Sequence, residues 1–304
     1  MPTRSSLARL TQFTTIFIAL AALAWLAWCW ESSPVLAIAG ALAILFFYSG
    51  VLGLEFVALY FVSRSDTTPA PTWTEIAAAW VGEIRAAPQV FSWRMPFRWR
   101  AVPDLVEGPA LAGRRGVVFV HGFVCNRGIW TPWLRRLSRE RRAFAAVNLE
   151  PLFGSIDDYA HTIDDAVCRV TAVTGLAPVL VCHSMGGLAA RAWLRAMQAD
   201  DRVAHVVTIG TPHGGTWLGR FSHLSNGRQM RLQSPWLGDL GRYAATGRPA
   251  GFTCWYSNCD NIVFPTSTAM LAGADNRLVR GVAHVDLAFD RRVIDETLQI
   301  VAAL

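Results

Sequence analysis

The stretch Val179-Leu-Val-Cys-His-Ser-Met-Gly-Gly187 decides how the chain is read. An apolar run ends, a serine follows, and two glycines come after it. That order describes a strand, a tight turn and a helix, the pattern of a nucleophile elbow. Such a turn holds Ser184 in a strained backbone conformation with its hydroxyl lifted clear of the sheet. It needs small residues two positions either side of the serine. Gly186 supplies one, and Cys182 stands where the usual pattern has glycine. A Ser-Gly-Gly loop between any strand and helix reads the same, so the surroundings must decide.

Those surroundings alternate. Val117–Val120 is an apolar strand. Trp130–Arg142 is helical, with Arg135, Arg136, Arg139, Arg141 and Arg142 mostly solvated. Ala143–Leu149 is a strand, and Ile156–Val173 a helix capped by Ser155. Pro178–Cys182 is the strand before the elbow and Gly187–Gln198 the helix after it. Strands follow at Val203–Gly210, Phe252–Ser257 and Leu278–Val282, and Arg291–Ala303 is a closing helix. The expected fold class is α/β, a mostly parallel sheet with helices on both faces. The interval 214–251 is rich in Gly, Arg and Trp and has no clear strand. So long an interruption in a compact domain is usually functional or disordered, and we expect a cap or lid there.

A serine hydroxyl is a weak nucleophile until a base, itself oriented by a third group, sits beside it. With Ser184 as nucleophile, an acid and then a histidine should follow, each after a later strand. Asp260 follows Phe252–Ser257, and His284 follows Leu278–Val282. Asp260 also reads as a turn residue between Asn258 and Asn261. Asp239, Asp275 and Asp286 are rival acids, but none follows a convincing strand. Among the later histidines, His205 lies inside an apolar strand, His213 comes too early in chain order, and His223 is the third rival. Acyl transfer also needs donors for the developing oxyanion. Met185, after the serine, supplies one backbone N–H. His121-Gly122-Phe123 directly follows the first strand and makes the Phe123 N–H the natural second donor.

With VVFVHGF (117–123), CHSMGG (182–187), TIGTPHGGT (208–216) and CDNIV (259–263) in view, residues from about 116 to 300 resemble a bacterial lipase or esterase of the α/β-hydrolase superfamily. QMRLQSPWLGDL (229–240) resembles the region after the sixth strand in that family. The resemblance implies carboxylic-ester hydrolysis with a Ser184–Asp260–His284 triad, oxyanion donors at Phe123 and Met185, and neither cofactor nor metal. The departures are Cys182 for glycine and Ala283-His284 where Gly-His is common; neither removes a catalytic group. An acyltransferase or thioesterase would use the same triad. A membrane-anchored interaction protein on an inactive scaffold is the reading from another class, although all three triad residues are present in order.

The N-terminal third lies outside the resemblance. The 304 residues are 53% hydrophobic but only 16% charged, against about a quarter charged in a soluble domain. Phe13–Trp30 is apolar apart from two threonines, Glu31-Ser-Ser-Pro34 breaks it, and Val35–Leu54 is a second uncharged run of membrane-spanning length. A signal peptide is the alternative, but its apolar part would be too long and a second span follows at once. We expect a helical hairpin with a four-residue turn, Trp25, Trp28 and Trp30 at the interface, and Gly40, Gly50 and Gly53 allowing close helix approach. Two helices are few for a transport pathway. Glu55 either ends the second span or pairs inside the membrane.

Arg4 and Arg9 precede the hairpin, Arg64 follows it, and the turn carries only Glu31. The positive-inside rule then puts both ends, and the catalytic part, on the cytoplasmic side of a bacterial inner membrane. The expected domains are a two-helix transmembrane hairpin (1–62), a linker and short helix (63–88, with the helix at Trp73–Ala87) and a catalytic α/β domain (89–304) with its lid at 214–251. Phe91–Trp99 alternates Phe91, Trp93, Met95, Phe97 and Trp99 with Ser92, Arg94, Pro96 and Arg98, which predicts a half-buried strand at a sheet edge or bulge. An aromatic and basic membrane-facing patch is its other reading.

Lys and Arg exceed Asp and Glu by 28 − 22 = 6. The arginines are scattered and no nucleic-acid motif appears, so we expect no nucleic-acid partner. The expected partners are an ester or lipid substrate and the bilayer; the sequence leaves the oligomeric state open. The six cysteines show no CxxC pair or ligand-like cluster with histidine, which argues against a metal site. Reduced core cysteines are the default, and Cys254 and Cys259 would bridge only in an oxidising compartment.

Overall fold

A computed structural model of the chain describes residues 5–246 and 250–304. Arg4, one of the orienting charges, and residues 247–249 of the expected lid lie outside them. The chain opens with two long apolar helices, α1 (Ser6–Cys29) and α2 (Pro34–Val62). Each has a serine N-cap: Ser5 accepts from the Ala8 N–H and Ser33 from the Leu36 N–H, and Pro34 sits at the first helical position, where it costs no hydrogen bond. Both are long and apolar enough to cross a membrane, and only 6% and 11% of their most apolar windows is buried inside the molecule. Of the three glycines expected at their contact only Gly40 serves, with the Trp25 ring packed on it; Gly50 has nothing near it, and Gly53 faces Trp80 of the next helix.

Helix α3 (Trp73–Ala87) starts at a capping box in which Thr72 and Glu75 satisfy each other's backbone N–H. The expected strand at Phe91–Trp99 is not there. Pro88–Arg94 is a π-helical turn that runs straight into α4 (Met95–Phe97). Val90 of the turn and Met95 of α4, five apart, are both fully buried, and the Met95 N–H donates to the Val90 carbonyl. The π turn widens the helical repeat so that both face the core after Ala86. Trp93 and Phe97, four apart, form an exposed aromatic pair. The alternation in sequence was thus a helical pattern with one enlarged turn.

Six strands make one fully parallel sheet in the order β2-β1-β3-β4-β5-β6: β1 (Val117–Val120), β2 (Phe144–Ala146), β3 (Val179–His183), β4 (His205–Ile209), β5 (Phe252–Ser257) and β6 (Asp275–Val279). The central strands β1 and β3 are apolar along almost their whole length because helices cover both faces of the sheet. One face packs against α6 (Ala160–Thr174) and α7 (Met185–Met197), through Ile163, Val167, Leu188 and Trp193 among others. The other packs against α5 (Thr131–Arg139), α11 (Arg291–Ala303) and the end of the π turn, through Trp130, Trp133, Leu287 and Val293. Between β4 and β5, where the sequence shows no clear strand, the chain forms a 3₁₀ turn (Trp217–Phe221), α8 (Ser225–Gln229) and α9 (Pro235–Thr246), a helical insertion. It is tied down by Trp236, which donates to Asp157, and Gln229, which bonds Ile156 and Ser155.

The hairpin does not stand apart from the sheet. Leu7 at its start is fully buried in the same cluster as Phe119 and Trp133, and the Ser6 N–H and hydroxyl both donate to Glu150. At its other end Phe56 and Leu59 of α2 pack with Ile76 and Ala79 of α3 against Cys259, Phe264 and Ala283.

Candidate active site

The parallel sheet brings the expected site residues to the carboxyl ends of neighbouring strands, where open α/β sheets bind ligands. Ser184 separates β3 from α7 with φ +55 and ψ −131. That conformation is rare for any residue with a side chain and marks stored strain. The neighbours enforce it. A side-chain carbon on Gly186 would lie 2.4 Å from the Val120 carbonyl oxygen. The Ser184 N–H donates to Ile209 O, and Thr211 donates to the Ser184 carbonyl. Cys182, in the place usually taken by glycine, is fully buried within β3, and the sheet absorbs its side chain. All six cysteines are free, so Cys254 and Cys259 are not bridged.

Asp260 follows β5, and His284 opens α10 (His284–Leu287) after β6. The pair is buried, with His284 Nδ1 2.8 Å from Asp260 Oδ2. The other carboxylate oxygen, Oδ1, accepts from the Ile262 and Val263 N–H groups at 2.9 and 2.8 Å. With Oδ1 taken up by two N–H donors, Asp260 Oδ2 accepts from His284 Nδ1, which leaves Nε2 as the basic nitrogen. Both side chains pack against Gly210, the residue after the Ile209 carbonyl that holds Ser184. Burial alone would pull the imidazole down. The charge and hydrogen bond of Asp260, with Glu83 and Glu55 further out, outweigh it and hold His284 above its ordinary value. Of the rival acids, Asp239 lies in α9, Asp275 is exposed at the start of β6, and Asp286 follows His284 by two residues in α10.

The loop carrying Phe123 passes directly over the serine. A side-chain carbon on Gly122 would lie 2.6 Å from Ser184 Cβ and 3.2 Å from Ser184 Oγ, so only glycine fits there. Val124, just beyond, is held at φ +49, costly for a β-branched residue. Met185 is the first residue of α7, so its N–H has no intrahelical acceptor. The Phe123 ring packs against that of Phe153 at 6.0 Å, giving the loop an apolar rim.

Two buried histidines that chain-order reasoning passed over brace this geometry. Burial pushes His121 down to about 4, so it is neutral. Its Nε2 accepts from the Leu149 N–H, which leaves Nδ1–H to donate to Gly122 O at 2.9 Å. His183 is likewise depressed by burial, to about 3, and its Nε2 bonds the His284 carbonyl at 3.1 Å. The signal for both lay in plain view, since each is the residue next to a site element in its own motif. His205 bonds Thr253 across β4 and β5, and His213 contacts Arg191, Thr208 and Cys254; neither reaches the pair. A large surface groove of about 770 Å³ lies against α5 and α11, lined by Arg136, Arg142 and Arg291, and holds none of the site residues.

Three carboxylates from before residue 117 also reach these loops. Glu83 of α3, 2% exposed, accepts from the Val285 and Asp286 N–H groups. Burial raises it to about 7. Glu55 of α2 accepts from Asn261 at 2.6 Å. Glu75 holds Asn258 and Arg280.

Comparison with known proteins agrees with this architecture. The model of the alpha/beta hydrolase family matches residues 117–298. No curated protein matches the chain. Among solved structures, the lipase BlEst2 of Bacillus licheniformis in its mature form superposes with a TM-score of 0.56 at 15% identity, over 62% of this chain and 93% of that one. Its propeptide form gives 0.55 at 15% identity, over 62% of this chain and 50% of that one. A monoacylglycerol lipase from Paleococcus ferrophilus gives 0.47 at 15% identity, over 62% and 95%. With the match covering the whole sheet, the elbow and both later strand ends, the chain belongs to the alpha/beta hydrolase family.

Proposed function

We propose that the chain is a membrane-anchored serine hydrolase that cleaves carboxylic esters of apolar or lipid-like substrates. One observation carries the reading. A serine strained at a strand-to-helix turn lies at the same carboxyl end of the sheet as a buried, hydrogen-bonded aspartate–histidine pair. His284 Nε2 takes the proton of Ser184 as its oxygen attacks the ester carbonyl. Asp260 keeps the ring in the required tautomer and stabilises the imidazolium. The Phe123 and Met185 N–H groups receive the oxyanion, where losing one such donor costs about 3 kcal/mol of barrier. The alcohol leaves with the proton from His284. Water, activated by the same histidine, then releases the acid from the acyl-enzyme.

The membrane part rests on α1 and α2. At ~1.5 Å per residue, 24 and 29 residues exceed the ~30 Å hydrocarbon thickness. Their outward side chains include Phe13, Phe17, Leu23, Phe47 and Leu54. Exposed Phe153, Phe221 and Leu224 extend that apolar character to the loop beside the elbow and to the insertion. This supports an ester drawn from the bilayer, with the sheet on the side that holds both hairpin ends, which we assign to the cytoplasm.

The test is hydrolysis of p-nitrophenyl esters from acetate to palmitate, with lipid or detergent present, by wild type and Ser184→Ala. The proposal expects activity that disappears in the variant and an optimum at longer chains that rises with lipid. Activity that survives in Ser184→Ala overturns the mechanism. Activity confined to short soluble esters and indifferent to lipid overturns the apolar-substrate reading.

A further inference from the structure

The N-terminal helices contact the two loops that carry Asp260 and His284. Each loop residue just before the pair, Cys259 and Ala283, is fully buried in one apolar cluster with Phe56 and Leu59 of α2 and Ile76 and Ala79 of α3. Polar contacts then lock the same loops. Asn261, fully buried, accepts from the His284 N–H at 3.2 Å through Oδ1 and donates to Glu55 through Nδ2. The two N–H groups after His284 both point at the Glu83 carboxylate. With His183 on the His284 carbonyl, the backbone around the histidine is held on both sides. Two of those restraints originate at residues 55 and 83, outside the region matched by the family model.

We propose that Glu55 and Glu83 are positioning residues of the active site, so that the N-terminal helices complete the catalytic geometry in addition to anchoring the chain. Glu55 fixes the Asn261 amide, which in turn sets the His284 N–H relative to the neighbouring Asp260. Glu83 gathers the Val285 and Asp286 N–H groups and prevents α10 from rotating the imidazole away from Ser184. Neither carboxylate reaches the substrate. A displacement of about 1 Å at a reacting group can cost about 100-fold in rate, so losses of about 10- to 100-fold are expected when either restraint is removed. The inference rests on the triad reading above.

The experiment uses the full chain in detergent micelles, with active sites counted by titration with a fluorophosphonate. kcat and KM for a p-nitrophenyl ester are then expressed per titrated site, for Glu55→Ala, Glu55→Gln, Glu83→Gln and Asn261→Ala. Expected is a fall of kcat of about 10-fold or more in Glu55→Ala and Asn261→Ala with KM within about twofold. Glu55→Gln, which keeps an acceptor for Asn261, recovers most of it. The double variant Glu55→Ala/Asn261→Ala is no slower than Asn261→Ala alone, because both act by one route. Glu83→Gln, with one carbonyl oxygen for two donors, falls between. A merely structural role would lower the number of titratable sites and leave kcat per site at the wild-type value; that result overturns the proposal. Ser184→Ala and His284→Ala, run alongside, separate the two claims. If these retain turnover, the triad reading itself fails. If they abolish it while Glu55→Ala, Asn261→Ala and Glu83→Gln match wild type, only the positioning role fails.

Discussion

Glu83→Gln should stabilise the protein at alkaline pH and have little effect at acid pH. Burial carries the Glu83 carboxyl from its ordinary 4.5 up to about 7, against the favourable pull of His284 and the two N–H donors. At ~1.4 kcal/mol per tenfold change in proton affinity, that difference amounts to about 3 kcal/mol. The sign follows from proton counting. Between the two values the folded chain holds a proton that the unfolded chain has lost, so stability falls as pH rises through that window. Above about 7 both states are ionised and the full penalty is present. Glutamine has no proton to lose and nearly the same shape, so the variant escapes the penalty. Thermal unfolding in detergent, followed by tryptophan fluorescence, should place Glu83→Gln near wild type at pH 4.5. At pH 8 it should melt about 6 °C higher, using ~2 °C per kcal/mol for a large domain. Comparing variant with wild type at each pH cancels the titration of groups not coupled to Glu83. A Tm difference that is the same at both pH values, or a variant that melts lower at pH 8, would refute the reasoning. A group that costs stability in the working range and is nevertheless kept fits the usual trade between stability and function.

Asp104→Asn should cost about 3–5 kcal/mol, because Asp104 is the carboxylate 2.6 Å from the fully buried Arg127 guanidinium and also holds Arg169; a drop in Tm at pH 7 checks it. Gly186→Ala should remove activity and destabilise by about 1–3 kcal/mol, since its new carbon meets two backbone carbonyls that cannot swing aside; activity and Tm are measured together. On the proposed mechanism the acidic limb of kcat/KM should lie above 6.5, because a histidine base must be neutral to act and the surroundings of His284 raise it. Asp260→Asn should lower that limb and cut kcat by roughly 10⁴-fold.

Much of the architecture could be read from apolar runs alone. Val117–Val120 and Phe252–Ser257 lie where their sequences put them, because strands covered on both faces carry little polar interruption. The last strand was displaced: it runs Asp275–Val279, not Leu278–Val282. It is an edge strand whose first residues, exposed Asp275 and half-buried Asn276 and Arg277, are all polar and give no apolar signal. The helical stretch 88–97 looks like a strand in sequence because a π turn shifts the repeat that amphipathic counting assumes. Ser184, Asp260 and His284 were nameable as candidates because chain order and strand ends constrain them, and the structure pairs Asp260 with His284. Glu55 and Glu83 were not, because their partners lie about 200 positions away in sequence. One local clue existed. Ile76, Ala79, Glu83 and Ala86 form the buried stripe of α3, and a carboxylate on an apolar stripe announces a partner waiting elsewhere. Glu55 gave the same clue by interrupting an apolar run, and its partner is Asn261 of the α/β part, about 200 positions away.

The central claim is that Ser184 is a nucleophile activated by the His284–Asp260 pair. The most direct test is reaction of the full chain with a fluorophosphonate, with the modified residue identified by peptide mass spectrometry. The account predicts one adduct, on Ser184, formed rapidly in wild type, lost in Ser184→Ala and slowed by orders of magnitude in His284→Ala. An adduct on another residue, or labelling of Ser184 at the same rate without His284, would contradict it.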